Sequence, residues 1–220
     1  MKWVGLYAQK VIALHALAKQ VGTTSDDLCA RYNGIKLENG LDKGELFKNA
    51  LSASYSGKQV LYLHTVCDLP HHRDTRTPTQ YATDLIIGWL SEDATLIALN
   101  NRGCFATGIG SDRDRTFLKD EQITHLADIE TPTQIIELVF DYTNYWVTQN
   151  KLDLRDNKKE HLESNNIVLF GVAPRANKAF VLSDYQDFVY GDIPAYGKKG
   201  WTLQNVKDRL VSFDEALQFF

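Results

Sequence analysis

The chain has 220 residues, of which 44% are hydrophobic and 24% charged, and a formal net charge of -4. This composition is that of a soluble globular protein, and it excludes a disordered, collagen-like or coiled-coil chain and a disulfide scaffold. The negative net charge excludes a global positive field, so any surface that contacts nucleic acid or an anionic membrane must be locally basic.

Helical periodicity dominates the start of the chain. Apolar residues at spacings of three and four predict a helix over residues 2–20, which Val21-Gly22 ends. Hydroxyl residues from Thr23 then cap a second short helix that runs to Tyr32. A third helix is predicted over residues 42–52. We therefore expect residues 1–57 to form a helical N-terminal segment.

From Lys58 the pattern becomes typical of strands. The stretch KQVLYLHTV is rich in branched and aromatic residues, and the loop CDLPHHRDTRTPTQ follows it. Next come two apolar runs, DLIIGWL and ATLIALNN, separated by Ser91-Glu92-Asp93. They predict two strands joined as a hairpin.

The last third of the chain mixes helices and strands. Thr131-Pro132 is expected to open a helix with a buried stripe from Ile135 to Trp146, because proline suits a first helical turn. The polar stretch LDLRDNKKEHLESNN is expected to be an exposed loop or a short helix.

Residues 167–173 and 178–183 predict two further strands. GDIPAYGKKGW predicts a loop, and Thr202 is expected to cap a last helix. The predicted fold class is therefore α+β, with a mixed central sheet flanked by helices in a domain over residues 58–220.

The three cysteines bear on the compartment. Cys29, Cys67 and Cys104 are widely spaced and form no CxxC pair, which favours buried free thiols over disulfides or a zinc site. The first helix carries lysines and lacks a cleavage site, and no apolar run approaches the roughly 20 residues that span a bilayer. We expect a cytoplasmic protein without membrane association.

The first two helices resemble a helix-turn-helix over about 20 residues. Ala18, Gly22 and Leu28 fall at the spacing of that motif. Against DNA reading, the second helix begins with Asp26 and Asp27, which would repel phosphates. A plain helical corner is the alternative interpretation.

A second resemblance covers more of the chain and concerns the order of elements. The predicted elements are, in order, a helix with an acid, a strand, a strand that begins with Asp, a hairpin partner that ends in polar residues, a helix and a further strand. This order resembles that of the PD-(D/E)xK nucleases. The matching residues are Glu45, Asp84, Asn100 and Arg102, and the period of a strand puts Asn100 and Arg102 on one face.

This resemblance implies phosphodiester hydrolysis with Mg²⁺ or another divalent cation at Asp84. The chain departs from the family where Asn100 and Arg102 replace a carboxylate and a lysine, and an arginine cannot act as a base. The structural alternative is that Asp84 caps a strand and residues 100–103 form a turn.

Potential metal ligands also cluster between residues 64 and 74. Imidazole and carboxylate groups suit zinc, manganese or iron. We take His64, Asp68 and His71 as candidate ligands beside Asp84, with a solvated loop as the alternative. The full cluster is His64, Asp68, His71, His72 and Asp74.

Arginines flank the predicted hairpin. If their loops converge at one end of the sheet, the guanidinium groups would form a rim that binds the phosphates of DNA or RNA. Interleaved aspartates favour, equally well, a network of salt bridges. The arginines are Arg73, Arg76, Arg102, Arg113 and Arg115.

Three functions follow from these patterns. The first is a divergent metal-dependent nuclease. The second is a non-catalytic module that binds nucleic acid or protein on an α+β scaffold. The third is a small-molecule or immunity-type module without a role on nucleic acid.

Overall fold

A computed structural model describes residues 2–67, 76–118, 127–193 and 197–220. The chain forms two compact units. Unit 1 comprises residues 1–97 and 110–126, and unit 2 comprises residues 98–109 and 127–220. Among the helices that the structure describes, none has the length and apolar character needed to cross a membrane. Helices and two separate sheets confirm the predicted α+β class.

Unit 1 is helical, and its helices continue well past residue 57. The first three follow the sequence prediction closely, with Leu14 and Leu17 of the first helix fully buried. Side-chain caps mark where the next two helices begin. The Thr24 side chain accepts a hydrogen bond from the amide of Asp27, and the Asp42 side chain accepts one from the amide of Glu45. These helices are α1 (Lys2–Gln20), α2 (Ser25–Ala30) and α3 (Lys43–Leu51).

The three strands predicted between residues 58 and 101 are wrong, because the described residues that were assigned to them lie in two helices. Ser56 and Gln59 form a capping box at the start of α4 (Gly57–Val66). Thr77 and Gln80 make the same reciprocal bonds at the start of α5 (Pro78–Asn101), in which both predicted hairpin strands lie. Helix α5 is apolar on several sides, and this pattern is indistinguishable from two buried strands in sequence. Its last turn, from Ala98, belongs to unit 2.

Unit 2 contains a six-stranded mixed sheet in the order β1-β2-β3-β5-β6-β9. Only the β3–β5 pair is parallel within this described sheet, with Leu138 opposite Phe170. The predicted strands over 167–173 and 178–183 are confirmed as β5 and β6. The helix predicted after Pro132 is wrong, because Thr131 bonds to Gln134 in a tight turn that leads into β3. The strands are β1 (Thr107–Gly108), β2 (Ile129–Glu130), β3 (Ile135–Phe140), β5 (Val168–Ala173), β6 (Lys178–Leu182) and β9 (Val211–Ser212).

A separate three-stranded antiparallel sheet has the order β4-β8-β7. The predicted polar stretch forms β4 and α7, and the predicted loop GDIPAYGKKGW contributes to β7 and β8. The last helix predicted from Thr202 is wrong, because β8 continues to Gln204 and is followed only by short helical turns at Val206–Arg209, Phe213–Ala216 and Leu217–Phe219. The new elements are α6 (Tyr145–Gln149), β4 (Lys151–Arg155), α7 (Lys158–Ser164), β7 (Phe188–Ile193), β8 (Lys198–Gln204) and α8 (Phe213–Ala216).

A buried aspartate fixes the chain where β3 ends. Asp141 is buried, and its carboxylate accepts hydrogen bonds from the amides of Thr143 (3.0 Å), Tyr145 (2.8 Å) and Trp146 (2.7 Å). These bonds satisfy the amides at the start of α6. Trp146 thereby packs its ring 5.0 Å from that of Phe180, within the apolar core of unit 2.

Candidate functional site

The residue on which the nuclease prediction depends, Asp84, lies in α5 and not at the start of a strand. Its carboxylate is 2.7 Å from Lys10 Nζ and 2.9 Å from Arg76 Nη1, and its side chain is 9% exposed. Lys10 lies on α1, so this ion pair links two helices of unit 1. Two cations therefore neutralise the carboxylate that the prediction assigned to a metal ion.

The structure describes two of the other residues predicted for this site, and both are exposed. Glu45 lies in the first turn of α3 with its side chain exposed, and His64 is exposed near the end of α4. Asp68 and His71 lie outside the described residues. Within the described ranges, no group of three or more histidine, cysteine, aspartate or glutamate side chains is placed to hold a metal ion.

Asn100 and Arg102 lie at the end of α5, where they build a turn. The amide of Gly103 donates to Asn100 O (3.0 Å), and that of Cys104 donates to Leu99 O (3.1 Å). This pattern, with Gly103 at a φ of +80°, is a Schellman motif. The strand face predicted for Asn100 and Arg102 is therefore wrong, and the alternative prediction of a turn is confirmed.

This turn contains an exposed aromatic residue, Phe105, and its side chains form hydrogen bonds on either side of it. Asn100 accepts from the amide of Ala106 (2.7 Å) and donates to its carbonyl (2.9 Å). Arg102 Nη2 lies 3.0 Å from Asp214 of α8. Between these bonds Phe105 has a φ of +49° and is 78% exposed. We call residues 100–106 the Phe105 turn.

The sequence analysis did not single out Phe105. A non-glycine residue at positive φ is uncommon, and local bonds must hold it there. The available signal was an aromatic residue between Gly103 and Gly108, directly after the second predicted hairpin strand. Phenylalanine is enriched at protein interfaces, where a rigid ring binds with little loss of entropy.

The predicted arginine rim is only partly described, and three of its members, Arg76, Arg102 and Arg115, pair with carboxylates. Arg76 pairs with Asp84, and its guanidinium lies 4.9 Å from the centre of the Tyr81 ring. Arg115 is 4% exposed and bonds to carboxylates of α5. Arg113 is exposed, and Arg73 lies outside the described residues. A salt-bridge network therefore describes Arg76 and Arg115 better than a phosphate-binding rim.

Arg115 is the centre of a buried polar network in unit 1. Its Nε and Nη2 lie 3.1 and 2.8 Å from Asp93 Oδ1, and Nη1 bonds to Glu92. Tyr32 donates its hydroxyl to Asp93, and Lys43 donates to the carbonyl of Asp114. The network joins the turn after α2 and helices α3 and α5 to the segment around Arg115.

Burial and neighbouring charges both shift pKa values in this network. Burial lowers the pKa of Arg115, but Glu92 and Asp93 together outweigh burial, and the net shift is upward. Burial, reinforced by Asp93, raises the pKa of the Tyr32 phenol. Burial lowers the pKa of Lys43. These shifts follow from structural ion pairs and require no catalytic role.

The helical corner predicted for α1 and α2 is present. Gly22 adopts a φ of +79° in the turn, and Ala18 and Leu28 are fully buried on either side of it. Helix α2 has six residues and exposes Asp26 and Asp27 in its first turn. Two carboxylates in this place oppose contact with DNA phosphates.

Comparisons with models of known protein families, with curated proteins and with solved structures found no match to this chain. The resemblance to PD-(D/E)xK nucleases stays a prediction, and the hairpin from which it was drawn is the single helix α5.

Proposed function

We propose that the protein is a non-catalytic binding module that holds a partner protein through the Phe105 turn. The observation that carries this proposal is the exposed ring of Phe105. The backbone of Phe105 has a positive φ, and two hydrogen bonds between Asn100 and Ala106 hold the turn that contains it. Exposing a phenylalanine to water is unfavourable, and the exposure is relieved when the ring enters an apolar pocket of a partner. Because the turn is already formed, binding orders few additional groups.

The surroundings of Phe105 favour protein over nucleic acid. Its neighbours Cys104, Ala106 and Thr107 are uncharged, and Asp214 neutralises Arg102. Nucleic acid is held chiefly by cations that displace counterions from phosphates. The side chain of phenylalanine also lacks the polar atoms that read base edges.

The free thiols indicate in which cellular compartment the protein would bind its partner. Cys29, Cys67 and Cys104 are all unpaired in the described structure. Unpaired thiols suit a reducing compartment, so we place the protein in the cytoplasm.

A photo-crosslinking experiment tests the proposal. We would place p-benzoylphenylalanine at position 105 and, in a matched control, at position 189, because Val189 is a 65% exposed residue of the same unit. We expect a discrete protein adduct from position 105 and none from position 189. With the purified partner, Phe105→Ala should weaken binding at least tenfold, whereas Val189→Ala should leave it unchanged. Equal effects of the two substitutions would refute the role of Phe105.

A cleavage assay distinguishes this function from the nuclease. Plasmid and oligonucleotides are incubated with the purified protein, with and without Mg²⁺ or Mn²⁺. We expect no cleavage, and we expect no retention on heparin at physiological salt. Metal-dependent cleavage that disappears in Asp84→Asn would replace the binding module with the predicted nuclease. Salt-sensitive retention that Arg113→Ala weakens would instead indicate nucleic-acid binding.

A further inference from the structure

An irregular segment of unit 1, residues 110–118, lies against α5, and we call it the strap. The structure assigns it neither helix nor strand. Its backbone bonds include two local turns, from the amide of Arg113 to Gly110 O (3.0 Å) and from that of Arg115 to Asp112 O (2.6 Å). Segments with few regular hydrogen bonds open at lower free energy than helices or strands do.

Arg115 and Phe117 are two strap residues whose side chains contact different kinds of residue, acids on α5 for Arg115 and aromatic rings on α5 and α4 for Phe117. Arg115 bonds to Glu92 and Asp93, as described above. The ring of Phe117 lies 5.1 Å from that of Trp89 and 6.3 Å from that of Tyr62. The strap therefore pairs its cation, Arg115, with acidic residues and packs its aromatic ring, Phe117, against other aromatic rings.

The spacing on α5 matches the spacing on the strap. Trp89, Glu92 and Asp93 stand at positions i, i+3 and i+4, so they share one helical face, which we call the α5 face. One turn of helix rises about 5.4 Å. Residues two apart in a non-helical segment are up to about 7 Å apart. An arginine and an aromatic residue separated by one position therefore reach both halves of the α5 face.

The strap reaches this fit with a strained backbone. Arg115 has a φ of +53°, a conformation that L-residues with a Cβ rarely adopt. Its flanking chain is constrained as well, because Trp89 Nε1 bonds to Asp112 and Lys43 bonds to the Asp114 carbonyl. A separate peptide with the same two side chains would not have to adopt this conformation.

We propose that the α5 face is a binding site for a protein segment of the form Arg-x-aromatic, and that the strap occupies it as a built-in competitor. Glu92 and Asp93 receive the guanidinium, and Trp89 with Tyr62 receives the ring. Displacement of the strap by such a segment would couple partner binding to release of residues 110–118. This site is distinct from the Phe105 turn and does not depend on it.

A peptide-binding experiment tests the proposal. The probe is a fluorescein-labelled peptide with the sequence of residues 110–118, GSDRDRTFL. The receptor is the full chain with Arg115→Gly and Phe117→Ala, whose folding is checked by circular dichroism and thermal melting. We expect at least tenfold tighter binding to this variant than to the unsubstituted chain, where the strap competes at an effective concentration on the order of millimolar. Equal binding to both proteins, or no binding to the folded variant, overturns the proposal.

Arg113 provides a matched control within the same peptide, because it is exposed in the strap. A peptide with Arg113→Ala should bind as the parent peptide does. Peptides with Arg115→Ala or Phe117→Ala should lose at least tenfold in affinity. Equal loss from the two arginine substitutions would indicate attraction by charge alone and would overturn the assigned site.

A second measurement covers the case in which the double variant does not fold. Phe117→Ala keeps the ion pairs of Arg115, and hydrogen exchange is followed at the amides of Arg113 and Arg115 with the parent peptide at millimolar concentration. We expect the peptide to accelerate exchange at both amides, while the peptide with Arg115→Ala leaves it unchanged. Exchange that no peptide alters would overturn the proposal.

Discussion

Removal of the Arg115 charge is the most direct test of the buried network. Arg115→Met keeps an aliphatic side chain and a Cβ, so the backbone strain is the same in both proteins. The substitution removes the bonds that Arg115 makes to Glu92 and Asp93, whose side chains are only 15% and 9% exposed. Two adjacent carboxylates then lose the guanidinium that pairs with both of them.

The expected magnitude follows from this geometry. Removing one partner of a buried ion pair destabilises a protein by about 3–5 kcal/mol, because the remaining charge is uncompensated. In a chain of this size, that loss lowers the midpoint of thermal unfolding by roughly 6–20 °C. Replacing the acids too, with Glu92→Gln and Asp93→Asn, should recover most of the loss, since neutral groups carry a smaller desolvation penalty.

The assay is urea unfolding of the full chain, followed by circular dichroism and by tryptophan fluorescence. Arg113→Met is the control, because this exposed arginine lies in the same segment, and it should change stability by less than about 0.5 kcal/mol. A loss of under 1 kcal/mol in Arg115→Met, or a triple variant as unstable as the single one, would refute the reasoning.

Three further predictions concern stability. Burial raises the pKa of the Cys29 and Cys67 thiols from 9.0 to about 12, so the folded state keeps them protonated and the free energy of unfolding should fall as the pH rises from 9 to 12. Urea unfolding across this range should show a shallower fall after Cys29→Ala and Cys67→Ala, and an unchanged slope would contradict the assignment. Gly171→Ala should cost about 1–3 kcal/mol, because a Cβ there would collide with the facing aromatic ring of β6, whereas Gly191→Ala meets open space and should be nearly neutral by the same measurement. Asp84→Ala should cost about 1.5–3 kcal/mol in urea unfolding through loss of its two charged hydrogen bonds, and a neutral result would remove its structural role.

Local patterns were sufficient for part of the fold. The periodicity of α1 and the hydroxyl and acid caps of α2 and α3 depend on residues only a few positions apart. The branched, continuously apolar runs of β5 and β6 likewise predict buried strands. These elements were predicted correctly because their signals are contained within one turn or one strand.

Helix α5 shows where local patterns were insufficient. Its residues are buried on more than one side, with Ile86, Ile87, Leu90 and Ala94 all inaccessible. Such a helix lacks the polar stripe that identifies helical periodicity, and its Ser91 and Asp93 are buried where the sequence suggested a turn. Only packing against the surrounding chain distinguishes it from a hairpin of two strands.

The candidate sites depended even more on contacts between distant residues. The sequence analysis named Asp84, Asn100, Arg102 and Arg115 as candidate site residues, but it could not supply their partners. Lys10 precedes Asp84 by 74 positions, and Asp214 follows Arg102 by 112.

By itself, the sequence determined the α+β class, the helical start of the chain and the strands β5 and β6, because these follow from hydrophobic periodicity and caps between near neighbours. The tertiary structure decided which charges are neutralised and which side chains stay exposed. Those outcomes depend on which distant residue comes within hydrogen-bond distance. The same tertiary contacts directed Asp84 and Arg115 to internal ion pairs and left Phe105 in solvent.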